Sequence, residues 1–154
     1  MVEEVEAGDR QVSRRVVVNA PAGDLYALVE NPHRHHELDG SGTVGANISG
    51  PEQVAVGDQF STHMRQFGMK YRTTSTVTHA EENKVIEWQL GIGQKWRWEF
   101  EPLGPNQTRV TETWDISEIP VIAAFGMRIT GMFNRNAKGI EETLRQLQQR
   151  FGDT

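Results

Sequence analysis

From Thr43 to Ile116, runs of β-branched, aromatic and alternating residues are separated by turn residues at the spacing of an antiparallel meander, and no other feature constrains the fold as strongly. The spacing predicts five or six strands, near Thr43 to Ser49, Asp58 to Gln66, Met69 to His79, Val85 to Leu90, Gln94 to Leu103 and Thr108 to Ile116. Glu81-Glu82-Asn83 and Gly104-Pro105-Asn106 are the clearest turns. Alternation is sharpest in Trp96-Arg97-Trp98-Glu99-Phe100, where the aromatics share one face and the charges take the other, so one face of the sheet is buried and one is wet.

A further strand is expected from Gln11 to Asn19, rich in valine and stopped by Ala20-Pro21. Pro21, Asp24 and the helical spacing of Leu25, Leu28 and Val29 predict a short helix, ended at Asn31-Pro32 because a residue before proline avoids the α region. His33 to Leu38 reads as one more helical turn, with Asp39-Gly40-Ser41-Gly42 as its stop. At the other end, Ile129, Phe133, Ile140, Leu144, Leu147 and Phe151 form an apolar stripe at steps of 3, 4 and 7, which predicts one helix from about Val121 to Phe151. Such a helix would be roughly 40 Å long at ~1.5 Å per residue, with Gly126, Gly131 and Gly139 as places for a kink. A sheet this large must cover its apolar face, and a single long helix is the element left to do it. One helix does not fill the concave side of a curved sheet, so a cavity between them is expected.

The 154 residues suit one domain over 1–154, with a core from about 11 to 151, and suffice to bury about two thirds of the unfolded surface. With Cys at 0, disulfides, thiolate metal sites and cysteine nucleophiles are excluded. The longest run free of polar side chains, Ile119 to Met127, falls far short of the ~20 residues of a membrane span. The beginning, Met1 to Glu6, lacks the basic and apolar regions of a signal peptide, so a cytoplasmic location is expected. A net charge of −5 with scattered Lys and Arg argues against a nucleic-acid partner. The glycines form neither a G-x-G-x-x-G turn nor a Walker A loop, no G-x-S-x-G elbow is present, and no cofactor is expected.

Several segments, in this order, carry a resemblance to a known superfamily: Val16 to Pro21 with the helix Asp24 to Val29, Val56-Gly57-Asp58-Gln59-Phe60, Tyr71 through Val77, Trp96 to Pro102, Thr108 to Trp114, and Asn134 to Leu147. Together they resemble the START-like, helix-grip superfamily (SRPBCC), which contains polyketide cyclases/dehydrases, lipid-transfer domains and plant hormone receptors. The stretch from Asn31 to Gly42 is similar to an actinobacterial subgroup of polyketide-cyclase-like proteins. The resemblance implies an α+β helix-grip fold, a curved antiparallel sheet of about six to seven strands wrapped around a long C-terminal helix. It also implies a pocket for an apolar small molecule, and no particular reaction.

Trp88, Trp96, Trp98 and Trp114 fall on three consecutive expected strands, and either form plain core or make an aromatic wall for a ligand together with Phe60, Tyr71, Phe100, Ile129 and Phe133. Glu112 is the oddest position, because it alternates in phase with Val110, Trp114 and Ile116 and so points its carboxylate to the apolar face. There it must either pair with an inward Arg or His, or sit with its pKa raised, as candidate acid/base groups do. Glu87, out of phase with Ile86 and Trp88, reads as solvent-facing, and His63 and His79 read as packing or surface residues. His33, His35, His36 and Asp39 with Glu37 are dense in metal-ligand types but lack the spacing of a zinc-protease motif, so they read as a pocket rim or a solvated helix, with no metal expected.

Three functions remain open at this level: a carrier or sensor holding a hydrophobic or aromatic, lipid- or polyketide-like ligand; a cyclase or dehydratase with Glu112 and a nearby His or Tyr71 as acid/base groups; and a protein-interaction module. The expected partner is a hydrophobic small molecule, bound by a monomer or homodimer.

Overall fold

The structure is a computed structural model that describes residues 1–39, 44–66, 68–91 and 93–152. Eight strands form one antiparallel sheet: β1 (Glu3–Val5), β2 (Gln11–Val18), β3 (Val44–Ser49), β4 (Gln59–Gln66), β5 (Met69–Glu81), β6 (Val85–Leu90), β7 (Gln94–Gly104) and β8 (Gln107–Asp115). Their order across the sheet is β1-β2-β8-β7-β6-β5-β4-β3. The meander from β3 to β8 is thus closed on one side by the N-terminal pair, and the strand count exceeds the expected six to seven because β1 adds an edge that its sequence, Glu-Glu-Val, does not advertise. β1 carries charge where the sheet ends: Glu3 pairs with Arg15 at 3.3 Å and Glu4 with Arg14 at 3.5 Å.

Register turns the alternation of each strand into one continuous inner face. Val16 lies opposite Val110, Val110 opposite Phe100, Trp98 opposite Ile86 and Glu112, Trp96 opposite Trp88 and Trp114, and Phe60 opposite Ser75. Helix α1 (Ala22–Val29) starts after Pro21, whose missing N–H costs nothing in a first turn, and buries Leu25, Tyr26, Leu28 and Val29. A 3-10 turn over Pro32–Arg34 follows, opened by the Asn31 side chain accepting from the His33 backbone N–H at 3.0 Å. Helix α2 (His35–Leu38) then ends at Asp39; the expected stop at 40–42 lies outside the described residues.

The C-terminal helix departs from the expectation of one continuous element. It is two, α3 (Val121–Ile129) and α4 (Met132–Arg150). Gly131 separates them with φ of 79°, a left-handed conformation in which Cβ-bearing residues are strained. The Thr130 hydroxyl donates to the carbonyls of Gly126 (2.9 Å) and Met127 (3.1 Å), tying the end of α3 to its last turn. At ~1.5 Å per residue α4 is about 28 Å long. Its stripe of Ile140, Leu144 and Leu147 is buried, and the Gln148 side chain donates to the Val17 carbonyl at 3.0 Å, anchoring the helix on β2. Because the break resets the helical phase, Ile129 does not continue that stripe and is 69% exposed, with Val121, Ile122 and Phe125 also exposed on α3. Among the described residues no helix is long and apolar enough to cross a membrane.

Candidate functional site

Helix α4 packs on β2 and β8, with Gln148 near its C-terminal end bonded to β2, and the N-terminal part of the helix stands over the inner face of the sheet. Between the two lies a cavity of about 840 Å³. The sheet side is walled by Phe60, Tyr71, Trp88, Trp96 and Trp98, one end is closed by Val29, His35, Leu38 and Asp39, and α4 supplies the roof. Polar groups are interspersed on the inner face, among them Thr62, Thr73, Ser75 and Gln94. An apolar, aromatic wall with a few placed polar groups is the ordinary composition of a small-molecule site.

The expected aromatic residues divide into two layers. Trp88, Trp96, Trp98, Phe60 and Tyr71 line the cavity. Trp114 is 0% exposed and lies behind, its indole N–H donating to Gln94 Oε1 at 2.9 Å and its ring meeting Phe133 edge-on at 5.2 Å. Phe100 is likewise core, stacked on Trp98 and edge-on to Tyr26. Phe133 sits under the Arg128 guanidinium at 4.4 Å, and Ile129 faces away, so neither these two nor Phe100 nor Trp114 lines the void. The sequence reading missed the roof. Met132, Asn136, Gly139 and Thr143, at steps of 4, 3 and 4, all face the cavity, as do the cations Arg135 and Lys138. That second stripe, beside the apolar one, was the available signal.

The histidines have separate fates. His35 lines the cavity, stacks on Trp88 with centroids 4.9 Å apart and meets Phe60 edge-on. Its Nε2 lies 2.6 Å from the Val29 carbonyl oxygen, which can only accept, so Nε2 carries the proton. Desolvation pushes its pKa down to about 4, partly offset by that hydrogen bond, and the ring is neutral at pH 7. His33 donates to the Gly50 carbonyl at 2.7 Å, outside the cavity lining, and His36 is exposed. Among the described residues no three His, Cys, Asp or Glu side chains group in a way that could hold a metal ion. His63 is exposed, and His79, also exposed, contacts Glu81 at 2.9 Å. Glu87 faces the outer side as its phase requires, but is mostly covered there by Arg97, Lys95 and the Thr78 hydroxyl, which donates to it at 2.8 Å.

Glu112 points into the cavity and is 6% exposed. Its Oε1 is buried and has no hydrogen-bond partner among the described residues. Burial pushes its pKa well above the usual carboxylate range, and the Asp39 carboxyl adds to the rise. The inward arginine that could have neutralised it exists: Arg14 lies directly opposite on β2 and shares its face. Arg14 is turned elsewhere, its Nε donating to Glu141 of α4 at 2.9 Å and its Nη1 to the Ser13 carbonyl at 2.9 Å. Of the two conditions open to a carboxyl at this position, the geometry supports the raised pKa over the ion pair.

A family model described as polyketide cyclase / dehydrase and lipid transport matches residues 9–152. Uncharacterized protein Rv0088 of Mycobacterium tuberculosis (strain ATCC 25618 / H37Rv) is 49% identical over 150 residues, 96% of this chain and 66% of that protein. The chain therefore spans just under two thirds of the length of that relative. Among solved structures, a protein from Arthrobacter aurescens has a TM-score of 0.70 at 19% identity, covering 94% of this chain and 90% of that one. The Polyketide_cyc-like protein Cgl2372 from Corynebacterium glutamicum has a TM-score of 0.62 at 24% identity, covering 91% and 90%. At such identities the likeness to these structures is one of fold.

Proposed function

We propose, from the premise that this chain belongs to the polyketide cyclase/dehydrase and lipid-transport family of the helix-grip superfamily, that it binds a hydrophobic, aromatic small molecule as a carrier or sensor. The observation that carries this reading is the cavity of about 840 Å³ with Trp88, Trp96 and Trp98 on its wall. Indole rings presented to a void this large, while Trp114 and Phe100 supply the packing behind them, are surface kept for a guest. Burying an apolar ligand there gains about 25 cal/mol per Å² of apolar area removed from water. A bound ligand also raises stability by mass action.

Native mass spectrometry of the protein purified from its own cells tests the reading directly, because a retained ligand is identified by its mass. A panel of fatty acids, sterols and aromatic polyketides then measures tryptophan emission and melting temperature. Quenching together with a raised melting temperature for one class supports binding; a panel without effect on either refutes it.

The orphaned carboxyl of Glu112 favours a second reading, a cyclase- or dehydratase-type enzyme in which an uncharged Glu112 serves as general acid. Loss of turnover in Glu112→Gln with binding retained would assign that role; equal turnover in variant and wild type would remove it.

A further inference from the structure

We propose that Glu112 is the hydrogen-bond anchor of the cavity and that its ligand is an aromatic compound bearing a carbonyl oxygen, held with that oxygen on the Glu112 carboxyl and its ring along Trp96 and Trp98. The inference rests on the reading of the cavity as a ligand site and adds to it the chemistry of the guest.

Three observations converge. Glu112 lines a space large enough for a ligand, and its Oε1 is a buried polar atom without a partner among the described residues. A buried polar atom is costly while unsatisfied, so a guest that reaches the carboxyl gains by doing so. Second, the cation opposite it in register is turned away: Arg14 is committed to Glu141 and the Ser13 carbonyl. Of the charged groups around the cavity, which include Arg65, Arg135 and Lys138, the one that bears on Glu112 is Asp39, a like charge. Burial and the neighbouring like charge favour the protonated form of a carboxyl in that setting, which offers an O–H donor. The complementary ligand atom is an acceptor, and a carbonyl oxygen is a strong neutral acceptor that an apolar ring system can carry without a charge or a competing donor. Third, Trp98 sits directly across the strand pair from Glu112, with Trp96 two residues along the same strand and on the same face. Side chains opposite in register are separated by about 5 Å at Cβ, so a ring lying on the two indoles brings a substituent within reach of the carboxyl. His35 does not compete for the role, because its Nε2 proton is already given to the Val29 carbonyl.

The test uses three probes of one shape: 2-acetylnaphthalene (a ketone), 2-ethylnaphthalene (no polar atom) and 1-(2-naphthyl)ethylamine (a cation). Affinities are measured by calorimetry for wild type, Glu112→Gln and Glu112→Leu. The expected result is that wild type prefers the ketone over the ethyl compound by about tenfold, the worth of one satisfied buried donor. Glu112→Gln keeps the preference, since its amide N–H also donates, and Glu112→Leu loses it. Equal binding of ketone and ethyl compound by wild type would overturn the anchor while leaving the cavity reading intact. A preference for the amine that vanishes in Glu112→Gln would overturn it in favour of an ionised carboxylate recognising a cation. Failure of all three to bind would overturn the ligand-site reading and the anchor with it. Infrared difference spectra of wild type against Glu112→Gln at pH 7 provide an independent readout on the folded protein: a carboxylic-acid C=O band that shifts when the ketone is added is expected, and a carboxylate band in its place would overturn the proposal.

Discussion

Two titratable groups of the cavity wall, Glu112 and His35, should pull stability in opposite directions with pH, and the opposition is measurable. Burial raises the Glu112 pKa well above its ordinary value of 4.5, so in the window that opens there the fold keeps a proton that the unfolded chain has lost. The folded state therefore holds the extra proton, and stability falls as pH rises from 4.5 toward the folded value, by up to about 1.4 kcal/mol per pH unit. His35 is the reverse case: neutral in the fold down to about 4, it is protonated in the unfolded chain below 6.5. Stability is lost as pH falls through that window, by about 3 kcal/mol in all. Above pH 4.5 and below 6.5 the two slopes oppose each other. The assay is urea unfolding followed by tryptophan emission from pH 4 to 8 for wild type, Glu112→Gln and His35→Phe, read as differences from wild type so that other titrating groups drop out. Glu112→Gln should gain on wild type steadily as pH rises above 4.5. His35→Phe keeps a ring between Phe60 and Trp88 and forfeits the bond to the Val29 carbonyl, a constant offset. It should gain on wild type by about 3 kcal/mol as pH falls from 7 to 4. A flat difference for Glu112→Gln, with the variant weaker at every pH above 5, would mean an ionised, paired Glu112 with Arg14 as its in-register partner. That result would refute the uncharged acid. A flat difference for His35→Phe would mean that His35 is solvated.

Trp114→Ala, which removes a fully buried indole and strands Gln94, should cost about 3–5 kcal/mol, seen as a lower urea midpoint. Gly131→Ala should cost roughly 1 kcal/mol through its left-handed φ alone, because nothing lies within 4 Å of the added Cβ; an unchanged midpoint would show that the α3–α4 break is not strained. Ile122→Ser and Phe125→Ser, at residues 86% and 63% exposed, should leave monomer stability within about 0.5 kcal/mol of wild type. Sedimentation of the same variants reads whether that α3 face holds a second copy: a wild-type dimer that dissociates in both would favour an interaction role for α3.

All the strands but the short edge β1 were legible to within two residues because a period of 2 is a property of the local backbone, and turn residues such as Asn83, at φ of 62°, declare the reversals. The same period was enough to place Glu112 on the inner face, and Trp96 and Trp98 beside it. The C-terminal helix misled for a local reason: Ile129 and Phe133 are four apart, as in one helix, but a left-handed Gly131 between them rotates one stripe off the other. What surrounds Glu112 was decided elsewhere. Arg14 reaches its position through the pairing of β2 with β8 across about two thirds of the chain, and its choice of Glu141 over Glu112 depends on where α4 lands. His35 is forced neutral by Phe60 and Trp88, from strands far along the chain, and the division of the aromatics into a lining layer and a packing layer follows from how α4 stands over the sheet. Alternation is written residue by residue, so a sequence displays it. A void is the space that distant elements fail to fill, and it exists only once they have packed.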